Sequence, residues 1–123
     1  MRIAISAESN EGLESLVAHH FGRCPYFVLV DVNGCEVKAV EVVDNPYVKS
    51  HQPGQVPGFI NSHNTDVMLS GGMGGRAIQF FQQFGIKTAT GAVGTARMAL
   101  ESYLGGELEG AAPCKESIEH GHG

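Results

Sequence analysis

The sequence predicts an α/β domain: a mixed five-stranded sheet in the strand order 3-2-1-4-5, carrying three helices. Three observations lead there. First, the apolar run Tyr26-Phe27-Val28-Leu29-Val30 and the alternating residues 36–43 flank Asn33-Gly34, a pair suited to a tight hairpin. Second, two more short apolar runs, residues 66–70 and 86–90, alternate with segments of helical periodicity. Third, glycines and capping residues punctuate the junctions between these segments.

Taken in order, Arg2-Ile3-Ala4-Ile5-Ser6 reads as a buried first strand. Leu13, Leu16 and Val17 have helical spacing and predict a short helical turn. Strand 2 covers residues 26–30. Asn33 and Gly34 are the two φ > 0 positions expected of a type I′ turn, and residues 36–43 return as a half-exposed strand. These three strands form an antiparallel meander. A polar, proline-bearing loop occupies residues 44–54. A helix is expected over residues 55–63, with Val56, Phe59, Ile60 and His63 on one face and Pro57 within its first turn. Residues 66–70 make strand 4. Gly71-Gly72-Met73-Gly74-Gly75 leads into a second helix, with Ala77, Ile78, Phe81 and Phe84 inward and Gly85 as its stop. Residues 86–90 make strand 5. Thr95 is the expected N-cap of the third helix, whose apolar face is Ala96, Ala99, Leu100, Tyr103 and Leu104, with Gly105 at its end. Right-handed crossovers in the second half give the order 3-2-1-4-5, a topology that resembles the ribonuclease H-like fold. Residues 1–110 are expected to form the domain, and residues 111–123, with Cys114, His120 and His122, a flexible tail.

Composition narrows the function. A chain of 123 residues fits one domain with a core of its own. No apolar stretch approaches the ~18 residues of a membrane helix, and residues 2–6 open on a strand without a signal-peptide pattern. A soluble, cytoplasmic protein is expected. There are 8 Lys+Arg against 13 Asp+Glu, and the arginines (Arg2, Arg23, Arg76, Arg97) are scattered, which disfavours nucleic acid. Three cysteines without a CxxC pair argue against a disulfide framework or a closed all-cysteine zinc site. Glycine, at 17 residues, and histidine, at 6, stand out instead.

Strand direction then groups the loops. Residues 7–25, 44–54, 71–75 and 91–94 emerge at one edge of the sheet, at the carboxyl ends of the parallel strands where open α/β sheets bind ligands. That edge carries His19, His20, Arg23, Cys24 and His51, whereas Cys35 follows the hairpin at the far end. Gly71, Gly72, Gly74 and Gly75 sit between a strand and a helix, where backbone N–H groups and the helix N-terminus suit an anion. The loop lacks the Gly-Lys-Ser/Thr ending of an ATP-hydrolysing loop, and a tight packing turn is the plain alternative. His20 and Cys24 offer an imidazole and a thiolate to a transition metal, and Arg23 a guanidinium to an anion. Here too a plain alternative stands: a surface histidine pair and a cysteine packed as a small apolar residue. Clustered carboxylates for a nuclease and a Ser-His-Asp arrangement are both missing.

The segment His20-Phe21-Gly22-Arg23-Cys24-Pro25-Tyr26-Phe27 resembles the HFGR-x-x-x-F motif of the dinitrogenase iron–molybdenum cofactor biosynthesis family, the NifX-like domains. Gly71-Gly72-Met73-Gly74-Gly75-Arg76-Ala77, Gly85-Ile86 and the Ala99-Leu100-Glu101-Ser102-Tyr103-Leu104-Gly105-Gly106-Glu107-Leu108 segment are similar as well. The resemblance implies a ribonuclease H-like fold without nuclease activity. It implies a non-enzymatic carrier of iron–sulfur or iron–molybdenum-type clusters or their precursors, with a cluster-assembly protein as partner. The motif histidine, a cluster ligand by this resemblance, maps onto His20. The position after Arg23 is more often small in the family; here it is Cys24, an added thiolate or a small-residue exchange. Two other classes compete with the carrier: a metal- or thiol-dependent enzyme using Cys24 and His20, and a regulatory module binding a small anionic ligand.

Overall fold

A computed structural model describes residues 1–49, 52 and 54–108. Its strands are β1 (Arg2–Ala7), β2 (Tyr26–Asn33), β3 (Glu36–Asp44), β4 (Val67–Leu69) and β5 (Lys87–Ala89). Its helices are α1 (Gln55–Ser62), α2 (Gly75–Phe84) and α3 (Ala96–Leu104), with a 3₁₀ turn at Gly12–Glu14. The sheet order is β3-β2-β1-β4-β5, as expected. β1 is central, antiparallel to β2 and parallel to β4 through Ile3↔Val67, Ala4↔Met68 and Ile5↔Leu69. The expected segment 111–123, with Cys114, His120 and His122, lies outside the described residues, as does His51.

Period-2 alternation on the central strands divides the core between two faces. Ile3, Ile5, Val28, Val30, Val67 and Leu69 point to the face covered by α3, where Ala96, Ala99, Leu100, Tyr103 and Leu104 pack. Ala4, Phe27, Leu29 and Met68 point to the other, under Val56 and Ile60 of α1 and Phe81 of α2. Thr95 caps α3 as expected, its Oγ1 accepting the Met98 N–H at 3.2 Å. Gly85 ends α2 with φ 76°, in the left-handed region that glycine enters without strain. His63 terminates α1, its ring edge-on to Phe59 at 4.7 Å between centroids.

The local expectations fail at four places. The helical turn expected from Leu13, Leu16 and Val17 is confined to Gly12–Glu14, because Leu16 and Val17 are drawn into antiparallel bridges with Thr95 and Ala7, which leaves Leu16 exposed. Asn33 stays in β2, paired with Glu36, so the two-residue loop is Gly34-Cys35. Gly34 takes φ 65° and no other loop residue is left-handed, which is the φ pattern of a II′ turn rather than I′. β3 is not half-exposed but exposed over residues 36–41. It is the edge strand, and a bulge opposite Asp31/Val32 breaks its alternation, leaving Val37 and Val40 in solvent. On α2 only Phe81 is fully buried. Phe84, expected inward, is exposed, because the sheet beneath ends at the three-residue β5.

Candidate functional site

The loop after β1 returns across the ends of the strands and is tied down by backbone hydrogen bonds. Ala18 N–H donates to Ser6 O at 2.9 Å, and Gly71 N–H to Ala18 O at 3.2 Å. Phe21 N–H donates to Gly72 O at 3.1 Å, so His20 and Gly72 form a short parallel bridge. The two segments singled out in the sequence thus lie side by side. Gly22 has φ 92°, and its carbonyl and that of Cys24 accept from the buried Asn45 amide at 3.2 and 2.9 Å. Asn45 thereby staples the loop after β3 to the histidine-bearing loop. Sequence reading missed it, since an Asn in a polar loop carries no burial signal.

The glycines of residues 71–75 divide into two kinds. A Cβ on Gly71 would lie 2.9 Å from His19 Cα, and one on Gly72 3.2 Å from His19 O. Close packing of two backbones explains glycine there. At Gly74 and Gly75 a Cβ would meet nothing within 4 Å, and Gly74 has an ordinary extended backbone, φ −70° and ψ 156°. Neither packing nor conformation asks for glycine at these two positions.

Beside them opens a cleft of about 340 Å³. Phe21 and Gly22 supply one wall, Gln52, Gly54, Val56 and Pro57 a second, and Gly74, Arg76, Ala77 and Phe80 a third. Both α1 and α2 begin at this cleft, at Gly54 and Gly74, and neither has a side-chain cap. The first-turn N–H groups of α2 carry partial positive charge and Arg76 adds a full one, whereas in α1 the Gln55 N–H already donates to Gln52 O at 3.1 Å and Pro57 has no N–H. Among the described residues the charged side chain lining the cleft is Arg76; the expected Arg23, exposed and next to the lining residue Gly22, does not line it. Arg76 and Phe80 were legible only as residues of a helix; that they face the cleft depends on how α2 is set against α1.

His19 and His20 are both exposed, their rings in edge contact at 4.5 Å. Cys24 is separated from them in function by its burial. It is 1% exposed, packed among the residues beneath α1 and α2. Burial, the largest cause, pushes its thiol from the ordinary 9.0 up to about 12. It packs here as a small apolar residue. Among the described residues no group of three or more His, Cys, Asp or Glu is placed to hold a metal ion. Cys35, at the opposite end, is disulfide-bonded.

A consequence is testable. Cys24 is expected to resist thiol-modifying reagents in the folded chain at pH 8 and to react on denaturation. Because its folded pKa is raised, its contribution to stability is whole below about pH 9 and is lost as pH climbs toward 12. Cys24→Ala should remove that alkaline loss, read as a flatter unfolding midpoint against pH. Equal labelling of folded and unfolded chain would contradict the burial.

The model for the family described as "dinitrogenase iron-molybdenum cofactor" matches residues 1–106. The chain belongs to this family. Solved structures share the fold of this chain. The protein PH0822 is 44% identical, with 88% of this chain and 94% of that one covered at a TM-score of 0.78. The orange protein of Desulfovibrio gigas, solved in its apo form, is 36% identical, with 93% and 95% covered at a TM-score of 0.79. An uncharacterised protein of Methanocaldococcus jannaschii is 25% identical over 111 residues, 89% of this chain and 90% of its own. The family is one of iron–molybdenum cofactor biosynthesis. No helix among the described residues is long and apolar enough to cross a membrane.

Proposed function

We propose that this chain binds an iron–sulfur or iron–molybdenum-type cluster, or a precursor, as cargo, without turning it over, and passes it to a cluster-assembly partner. The observation that carries this reading is the meeting of the histidine-bearing loop and the glycine loop beside a cleft where two uncapped helices begin next to Arg76. The donor set fits cargo that brings its own sulfide ligands. Among the described residues no three-donor group would enclose a bare ion. An anionic cluster would meet the first N–H groups of α2 and Arg76 in the cleft, and the exposed imidazole of His20, which is not itself a lining residue, would reach it from the position next to Phe21. Partial coordination of this kind leaves the cluster free to be handed on. The membership in a cofactor-biosynthesis family and the likeness to a protein known in an apo form support the reading.

Cys24 has no part in it. Its sulfur is 1% exposed and packed beneath α1 and α2 instead of being presented to the cleft. The apolar surface of Phe21, Val56, Pro57 and Phe80 does favour one second reading, a small organic anion in the same cleft.

The deciding experiment is anaerobic reconstitution with ferrous iron and sulfide, followed by gel filtration and measurement of bound iron and visible absorbance. The native chain is expected to retain coloured iron. His20→Ala and Arg76→Ala should each weaken retention by about tenfold, the latter more at low salt, while Cys24→Ala should not change it. A native chain that retains no iron, or retention indifferent to both His20→Ala and Arg76→Ala, would overturn the proposal and favour the organic anion.

A further inference from the structure

We propose that Ser6 and Ser70 are positioning residues that hold the glycine loop against the histidine-bearing loop through a buried chain of hydroxyls. Its effect on cargo rests on the reading above; its effect on loop geometry does not.

Ser6 lies on β1 and Ser70 directly follows β4, on neighbouring parallel strands, and both are 0% exposed. Their hydroxyls are 2.9 Å apart, and Ser70 Oγ is 3.0 Å from Gly72 O. Ser6 Oγ has a second acceptor in Leu69 O, at 3.4 Å. Each hydroxyl has one proton, so the short contacts assign a direction. Ser6 donates to Ser70, and Ser70 donates to the Gly72 carbonyl. That same carbonyl accepts the Phe21 N–H at 3.1 Å. The chain therefore ends on one of the atoms that join the two loops.

The backbones of the two serines serve the same edge. Ser6 O accepts the Ala18 N–H at 2.9 Å and Ser70 O the Ala92 N–H at 3.3 Å. A plain sheet interior has no use for hydroxyls here. Burying one costs free energy unless it is paired, and an alanine would cost nothing. The pairing that offsets the cost runs to Gly72, which sets the register of Gly72 against Phe21 and with it the Phe21–Gly22 wall of the cleft.

Removing the Ser70 hydroxyl leaves Gly72 O with the Phe21 amide alone and sends Ser6 back to its longer contact with Leu69 O. The full chain is the material for the test, in Ser70→Ala, Ser70→Thr and Ser6→Ala forms. In the protein without added metal, Ser70→Ala should raise hydrogen exchange at the Phe21 amide by about tenfold while amides of β1 and β2 keep their native rates. After reconstitution with iron and sulfide, retention should weaken by a similar factor, and Ser70→Thr, which keeps a hydroxyl, should recover both. A native exchange rate at Phe21 in Ser70→Ala overturns the proposal. So does a rise shared equally by β1 and β2 amides, which marks general destabilisation. Should Ser70→Ala not fold, Ser6→Ala decides by the same two criteria, since it breaks the chain one donor upstream. A native chain that retains no iron defeats the cargo reading, and exchange at Phe21 then decides the positioning claim alone.

Discussion

Gly74→Val is expected to weaken retention of a reconstituted iron–sulfide cluster by at least about tenfold while leaving the chain folded. The reason is the open space around this position. A Cβ there touches nothing within 4 Å, and its backbone suits any residue. The cost to folding is that of a poorer N-cap on α2, at most about 1 kcal/mol. The cost to binding is larger, because the branched side chain occupies the mouth of the cleft and shields the first N–H groups of the helix. Gly71→Ala should behave in the opposite way. Its Cβ would sit 2.9 Å from His19 Cα, a backbone atom that cannot swing aside. It should destabilise the fold by about 1–3 kcal/mol and push the two loops apart. Thermal unfolding and bound iron per folded chain, measured on both variants, separate the two roles. Native-like retention by folded Gly74→Val would reduce the whole glycine loop to a packing turn.

Phe81→Ala should have the largest effect on stability. Phe81 is the one fully buried side chain of α2. It packs over the sheet and meets Phe21 edge-on, with ring centroids 5.2 Å apart. Truncating a buried phenylalanine costs about 3–5 kcal/mol, of which roughly 0.5–1.5 comes from the aromatic pair. Against a total stability of about 5–15 kcal/mol, that is a large share, and the melting midpoint should fall by roughly 10–20 °C. Phe21 also loses its support, so iron retention should drop even at temperatures where the variant stays folded. Phe84→Ala is the control. Phe84 is exposed at the rim, and its loss should change stability by no more than about 0.5 kcal/mol. A midpoint for Phe81→Ala within a few degrees of native would mean that α2 is not anchored as the packing indicates.

The two predictions draw on different parts of the chain, and those parts were unequally legible in the sequence. Strands β1, β2 and β4, the apolar face of α3 and the caps Thr95 and Gly85 follow from local rules, because period, propensity and capping act over a few neighbouring residues. Strand order follows as well, since a short hairpin and right-handed crossovers leave few alternatives. The sequence also placed the histidine-bearing loop and the glycine loop at one edge of the sheet, where the structure sets them side by side. Within those loops it reached no further. His20 and Cys24 stand four residues apart in irregular backbone, where no period says which side chain faces water; the tertiary fold exposes the first and buries the second. Arg23 and Arg76 are equivalent as sequence, yet only Arg76 lines the cleft, because α2 is set beside α1 there. The bulge in β3, the rim position of Phe84 and the Ser6–Ser70–Gly72 chain likewise depend on which segments become neighbours. Sequence by itself determined the fold and the edge at which the two loops meet, for those rest on short-range preferences summed over whole elements. Tertiary structure alone decided which side chains face that site, for a side chain's direction in an irregular loop is set by contacts with residues far along the chain.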